Sequence, residues 1–142
     1  MSMDKISTYE YKGKGYNPYL IDKDWQIAQL NYVEGQGFYD LIKIEKHVLT
    51  DEAFILNKGN AVLIAAEITG DEVTFELEVM SSGVVYNIPK GVWHNIGLSE
   101  DAELFIVENS NTHQKDVTYS SLSESQCKEL NRLIKEALCD IK

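Results

Sequence analysis

Basic side chains are scarce in this chain of 142 residues. Thirteen Lys and Arg stand against 23 Asp and Glu, which gives a formal net charge of −10. A surface of that sign repels a phosphate backbone, so we exclude nucleic acid as a partner. No uninterrupted apolar run approaches the ~20 residues that span a bilayer, so we expect no membrane association. The chain also lacks a glycine-rich phosphate loop, a convincing Ser-His-Asp arrangement and a Cys-Cys metal pair.

Cysteine is scarce as well. Cys127 and Cys139 both fall in one C-terminal segment. If that segment is helical, a rise of ~1.5 Å per residue separates them by about 18 Å, whereas a disulfide needs Cα atoms within about 7 Å. The first residues have no apolar core of the kind found in signal peptides. Reduced thiols and no export signal together predict a cytoplasmic location.

Short strand-like segments dominate the chain up to residue 110. In 73–79, for example, Val73, Phe75 and Leu77 alternate with polar residues, which is typical of a half-buried strand. Short strands, short turns and no intervening helix predict an all-β fold, an antiparallel β-barrel or jelly roll. We expect one domain: an N-terminal arm over 1–23, the barrel over 24–119 and a terminal helical segment over 120–142.

The terminal segment changes period. Apolar residues recur there at helical spacing: Leu130, Leu133, Ile134, Ala137, Leu138 and Ile141. Ser123 followed by Gln126 has the spacing of a capping box. We therefore predict one amphipathic helix from about 124 to 140, packed on the outside of the barrel.

Histidines and carboxylates occur in two blocks that a small barrel would bring together. Glu45 and His47 share one face of a strand because side chains alternate, and Glu52 begins the next strand. The turn at 89–91 delivers His94 from a strand further round. Two imidazoles and one or two carboxylates at one point would make a site for a divalent metal, and this set accepts iron, manganese, nickel or zinc.

The two blocks resemble the two conserved motifs of the cupin superfamily. The second motif runs Gly, five residues, Pro, any residue, Gly, two residues, His, three residues, Asn. Gly83, Pro89, Gly91 and His94 stand at the matching positions, and Leu98 stands where Asn is usual. The first motif runs His, any residue, His, three or four residues, Glu, six residues, Gly. Its matching residues are His47, Glu52 and Gly59, and Glu45 occupies the position of the first His.

The resemblance implies a cupin-type barrel that holds a divalent metal on His47, Glu52 and His94, with Glu45 as a possible fourth ligand or as the group that moves a proton. It implies chemistry of the isomerase, lyase or oxygenase type on a small oxygenated metabolite. The alternative is a cupin without catalysis that binds a sugar-like molecule and no metal. A homodimer is expected, with Trp25 and Trp93 on the exterior.

Three positions stay open from the sequence alone. Glu45 could ligate a metal or pair with Lys43 on the same strand face. Either Asp51 or Glu52 could face the interior. Tyr86 could offer its hydroxyl at the mouth of a substrate cavity or simply fill the core.

Overall fold

The computed structural model describes residues 5–140 and contains two five-stranded antiparallel sheets. The strands are β1 (Gly15–Ile21), β2 (Trp25–Asn31), β3 (Lys43–Lys46), β4 (Glu52–Lys58), β5 (Ala61–Thr69), β6 (Glu72–Val79), β7 (Val85–Ile88), β8 (Trp93–Leu98), β9 (Glu103–Asn109) and β10 (Thr118–Ser121). The helices are α1 (Thr112–Lys115) and α2 (Glu124–Cys139). The first sheet has the order β1-β2-β9-β4-β7 and the second the order β10-β3-β8-β5-β6. The predicted all-β class with one C-terminal helix is confirmed, although the two sheets are not closed into a barrel.

The main core lies between the inner faces of the two sheets. Phe54 on β4 and Ile106 on β9 are opposite one another in the first sheet, and both are buried. Leu63 on β5 and Ile96 on β8 are likewise opposite one another in the second sheet, and both are buried. Because side chains alternate along a strand, every second residue of β4 and β9 points into this space. The inward rows are Glu52, Phe54 and Leu56 on β4, and Leu104, Ile106 and Glu108 on β9.

Helix α2 covers the outer face of the second sheet. Its buried residues Leu130 and Ile134 pack with Val62 and Ile64, which point outward from β5. The predicted capping box is present, since the Ser123 side chain accepts a hydrogen bond from the Gln126 amide and the Gln126 side chain accepts one from Ser123. The last residue of the predicted apolar pattern, 141, lies outside the described residues.

The two cysteines lie at either end of this helix region and are both free, as predicted. Cys127 is half-buried near the helix start and Cys139 is exposed at its last position. Of the helices in the described part of the chain, none is long and apolar enough to cross a membrane.

One segment differs from the sequence-based expectation. The pattern over 37–44 is typical of a single strand, but the segment is a turn followed by the short strand β3, because the Asp40 amide bonds back to the Gly37 carbonyl. In the predicted N-terminal arm, β1 forms the edge of the first sheet and pairs with β2. The register shifts between Pro18 and Leu20 there, which fits the confinement of proline to edge strands and bulges.

Candidate functional site

Three of the predicted ligands meet between the two sheets. The Nε2 atom of His47 lies 3.0 Å from Glu52 Oε2, and the Nε2 atom of His94 lies 3.1 Å from Glu52 Oε1. All three side chains are buried, and one ligand atom from each lies within 4.8 Å of the others. The structure therefore places a compact His-Glu-His cluster that could hold a metal ion.

Backbone hydrogen bonds between the two motif blocks bring these residues together. Gly91, whose φ of 83° is in the left-handed region, donates its amide to the His47 carbonyl at 2.6 Å. Asp51 accepts a hydrogen bond from the Lys90 amide at 2.9 Å and remains exposed. It is therefore Glu52, and not Asp51, that faces the interior. The turn that precedes His94 is thus tied to the loop that follows His47.

A third segment holds the loop after His47. The Asp116 carboxylate accepts hydrogen bonds from the amides of Val48 and Leu49, at 2.8 and 2.9 Å. The Asp116 carbonyl oxygen lies 2.5 Å from His47 Nδ1. Asp116 is itself buried, so both contacts are shielded from water. The side chain and the backbone carbonyl of Asp116 therefore together fix the position of the His47 ring.

The tautomers of both rings follow from these contacts. His47 Nδ1 meets the Asp116 carbonyl and His94 Nδ1 meets the Val92 carbonyl at 3.0 Å. Because a carbonyl oxygen only accepts, both Nδ1 atoms carry a proton. Loss of the second proton from each ring would then leave the Nε2 lone pair free to bind a cation beside Glu52. Imidazoles held in this way by backbone carbonyls are the usual partners of a protein-bound metal.

The charges of the cluster are strongly coupled. Burial alone would raise the pKa of Glu52, but hydrogen bonds and positive charge from the two histidines lower this pKa to about 2. Burial opposes protonation of His47, but the hydrogen bond and negative charge of Glu52 raise its pKa to about 9. The same balance raises the pKa of His94. In acidic solution, two imidazolium groups and one carboxylate thus occupy the metal-free site, and a divalent cation would replace two protons of equal total charge.

The cluster opens into a cavity of about 200 Å³ between the sheets. Glu45 lies opposite His94 in the β3–β8 ladder and lines this cavity. It is not part of the three-residue cluster, and burial raises the pKa of its carboxyl group. Among the described residues no ion pair joins Glu45 to Lys43. The Lys43 ammonium lies 4.1 Å from the centre of the Tyr119 ring instead.

Glu108, a buried carboxyl group in the same cavity, was missed by the sequence reasoning. The Tyr16 hydroxyl donates to Glu108 Oε2 at 2.6 Å, and Gln26 Nε2 donates to the Tyr16 oxygen at 3.0 Å. Burial, followed by the negative charge of Glu52, raises the pKa of Glu108 to about 8. The available signal was the alternation of β9, which places Glu108 on the inward face.

Two other residues lie in unexpected places. His113 lies in a polar stretch of sequence that is typical of an exposed loop, but it is half-buried in α1 and lines the cavity, with its Nδ1 atom 3.4 Å from Gln26 Nε2. Tyr86 is not among the residues that line the cavity. Its ring packs against the main core, and its hydroxyl oxygen accepts a hydrogen bond from the Ser81 amide at 2.8 Å.

Comparison with known proteins identifies the architecture. No protein-family model matches the sequence, and no curated protein matches it. Among solved structures, a Bacillus halodurans protein is 15% identical, covers 89% of this chain and 86% of its own, and has a TM-score of 0.56. An RmlC-like cupin family protein with a double-stranded β-helix fold, from Methanocaldococcus jannaschii, is 16% identical over 92% and 99% of the chains, with a TM-score of 0.53.

A third similar structure is an enzyme. The Streptomyces protein Pac13, a nucleoside dehydratase, is 11% identical over 84% of this chain and 98% of its own, with a TM-score of 0.53. At these identities the likeness concerns the fold. The two facing antiparallel sheets, with the two motif blocks at their predicted places, therefore show that this chain has the fold of the cupin superfamily.

Proposed function

We propose that the protein binds one divalent metal ion through His47, Glu52 and His94 and acts on a small oxygenated metabolite. The observation that carries this proposal is the convergence of two Nε2 atoms on one carboxylate while both Nδ1 atoms are bonded to backbone carbonyls. Protein groups hold both rings in the tautomer that a metal requires. Two imidazoles and one carboxylate, with positions left open, suit iron(II) and also accept manganese, nickel or zinc.

The cavity beside the cluster supports isomerase, lyase or oxygenase chemistry. A bound metal would polarise an oxygen atom of the substrate. Glu45, on the cavity wall beside His94, would accept a proton from the substrate or complete the ligand set. Its raised pKa, caused by burial, brings the carboxyl group closer to the range in which it can both take and return a proton.

A second function, binding of a sugar-like molecule without metal, is favoured by one observation. The Glu52 carboxylate is already bonded through both oxygens to the two histidines. A buried site satisfied in this way is stable without an ion. The cavity would then serve for binding only, with the cluster as part of its wall.

We further propose that two copies form a homodimer through the outer face of the first sheet. Trp25 on β2 and Val85 on β7 are exposed on that face. Trp93 is a weaker candidate because it is half-buried, with the Lys46 ammonium 4.6 Å from the centre of its ring. Sedimentation velocity should show a dimer for the parent and a monomer for Trp25→Ser combined with Val85→Ser. A parent that stays monomeric at high concentration contradicts this part of the proposal.

Metal content per chain tests the metalloprotein proposal. Protein purified without a histidine tag or chelator, and then incubated with iron(II), manganese, nickel or zinc, should contain close to one ion per chain by elemental mass spectrometry. The double variant His47→Ala, His94→Ala should contain none. His113→Ala is the matched control, since it removes a third imidazole from the same cavity and should keep the ion. A parent without metal after these incubations contradicts the proposal and favours the binding function.

A further inference from the structure

We infer that His113 binds an oxygen atom of the ligand through an N–H group at Nε2, and that Gln26 holds the His113 ring in the tautomer needed for this contact. The inference deepens the proposed function and rests on it for the presence of a ligand in the cavity. It is carried by the hydrogen bonds of Gln26 and by the place of His113 on the cavity wall. The oxygen is of the kind that only accepts, as in a carbonyl or carboxylate group.

The orientation of the Gln26 amide is determined by the backbone. Gln26 lies on the inward face of β2 and is fully buried. Its Oε1 atom accepts a hydrogen bond from the Asn111 amide at 2.8 Å. A backbone N–H group only donates, so the amide oxygen faces Asn111 and the NH₂ group of Gln26 points the other way. This assignment does not depend on the protonation of any carboxyl group in the cavity.

The NH₂ group of Gln26 donates in two directions. Its Nε2 atom lies 3.0 Å from the Tyr16 oxygen and 3.4 Å from His113 Nδ1. Because an amide nitrogen only donates, His113 Nδ1 accepts, and the proton of the neutral ring is on Nε2. This tautomer is the reverse of that in His47 and His94, whose Nδ1 atoms carry a proton. The cavity therefore has two imidazoles suited to a cation and one that offers an N–H group to a ligand.

The Nε2 atom of His113 is available to a ligand. Within residues 5–140, no protein group forms a hydrogen bond with it. It is also not buried, because the single buried side-chain atom without a partner in that part of the chain is Asn131 Oδ1. Water therefore reaches this nitrogen. Since His113 lines the same cavity as the His-Glu-His cluster, a ligand oxygen can take the place of that water.

The backbone on both sides of His113 is fixed by hydrogen bonds. Thr112 Oγ1 donates to the Asn109 carbonyl at 2.7 Å, and the Asp116 amide donates to the Thr112 carbonyl at 3.0 Å. A donor held in place before the ligand arrives stabilises negative charge that develops on an oxygen. A neutral imidazole can polarise a substrate carbonyl in this way. His113 would then act on the ligand directly, and Gln26 would be a positioning residue.

NMR of protein with ¹⁵N-labelled histidine tests the tautomer without metal or ligand. Long-range ¹H–¹⁵N spectra distinguish a protonated ring nitrogen from an unprotonated one, and a pH of about 9 is well above the usual histidine pKa. His113 should carry its proton on Nε2. Gln26→Glu places an acceptor before Nδ1 and should move the proton there. Gln114→Ala, an exposed change in the same helical turn, should leave the spectrum of His113 unchanged.

Binding of acetohydroxamate to zinc-loaded protein tests the contact with a ligand. This probe binds zinc through its oxygen atoms, which also accept hydrogen bonds. His113→Phe keeps a ring but lacks the N–H group, and should weaken the probe about tenfold, the factor expected for loss of one hydrogen bond to a charged group. His113→Gln supplies an N–H group again and should recover part of the affinity. Gln114→Ala should bind the probe as the parent does.

The zinc content of every sample, measured by elemental mass spectrometry, separates the possible failures. Equal affinity of the parent and His113→Phe at full zinc content would overturn the inference. A parent that holds zinc but not the probe would do the same, and a proton that stays on Nε2 in Gln26→Glu would overturn the role of Gln26. Absence of zinc from the parent is failure of the metal proposal instead, and the tautomer experiment then still decides between the two tautomers of His113.

Discussion

Metal binding to the His-Glu-His cluster should release about two protons per ion, and this makes affinity steeply dependent on pH. In the metal-free protein the Nδ1 atom of each histidine meets a backbone carbonyl and the Nε2 atom meets a Glu52 oxygen, so both protons of a doubly protonated ring are hydrogen-bonded. A cation can bind Nε2 only after that proton has left. The perturbation is therefore a change of pH, with no change of sequence.

The size of the effect follows from the pKa values. The pKa of His47 is raised to about 9 and that of His94 is raised above its usual 6.5, so both rings are charged below pH 6.5. Glu52, with a pKa of about 2, stays ionised throughout this range. Each proton displaced costs a factor of ten in affinity per pH unit. Between pH 6.5 and 5.5 the dissociation constant should rise about tenfold from His47 alone, or about 1.4 kcal/mol, and the raised pKa of His94 steepens this slope further.

Competition with a fluorescent chelator of known pH dependence measures this slope. Calorimetry at pH 6.5 in two buffers of different ionisation enthalpy gives the number of protons directly. His113→Ala is the control, since it should leave both the slope and the proton count unchanged. Release of less than half a proton per ion would refute the reasoning, because it would mean that the ion binds without displacing protons from the two Nε2 atoms.

Three further predictions concern the scaffold of the site. Without metal, the raised histidine pKa values contribute stability that is complete below pH 6.5 and is lost as pH rises toward 9, by at most about 3 kcal/mol for His47. The melting temperature of the parent should therefore fall over this range. The melting temperature of Glu52→Gln should fall less. Asp116→Ala should weaken metal binding about 10- to 100-fold while the chain stays folded, because the loop that orients His47 loses two hydrogen bonds. The chelator assay measures the affinity and circular dichroism checks the fold. An unchanged affinity contradicts this prediction. Phe54→Ala should lower the free energy of unfolding by about 3–5 kcal/mol in urea titrations, whereas Val85→Ala on the exposed face should change it little. Equal losses in the two variants would contradict the assignment of Phe54 to the core.

Much of the cluster could be predicted because its residues lie in motifs whose backbone is determined locally. Gly91 adopts a φ of 83° in the turn before His94, a conformation that glycine adopts without strain. Gly59 has a φ of 78°, and a Cβ atom there would lie 2.7 Å from the Ala102 Cα. At both positions the backbone conformation favours glycine over every other residue type. The spacing of glycine, proline and histidine therefore carries information about structure even in a single sequence.

Glu108 and Tyr16 could not be predicted in the same way, because their contact joins residues 92 positions apart. The alternation of β9 places Glu108 on the inward face, but it does not distinguish an inward glutamate near the end of a strand from one that reaches solvent. Tyr16 lies in a polar segment, and its inward orientation follows only from its pairing with Leu30 on β2. The N-terminal strand thus completes the cavity through sheet pairing, which short-range patterns do not report.

The His-Glu-His cluster and the other carboxyl groups of the cavity are held in place by different contacts. The His-Glu-His cluster is held by hydrogen bonds to the backbone of three segments, which meet through Gly91, Asp51 and Asp116. Substitutions of cavity side chains leave those contacts intact. Glu45 and Glu108 take no part in those hydrogen bonds, although Glu45 lies opposite His94 and Glu108 lies on β9, beside the strand that carries Glu52. The carboxyl groups of the cavity can therefore vary while the backbone contacts that hold the His-Glu-His cluster stay in place, which explains physically how one scaffold of this fold could serve different ligands.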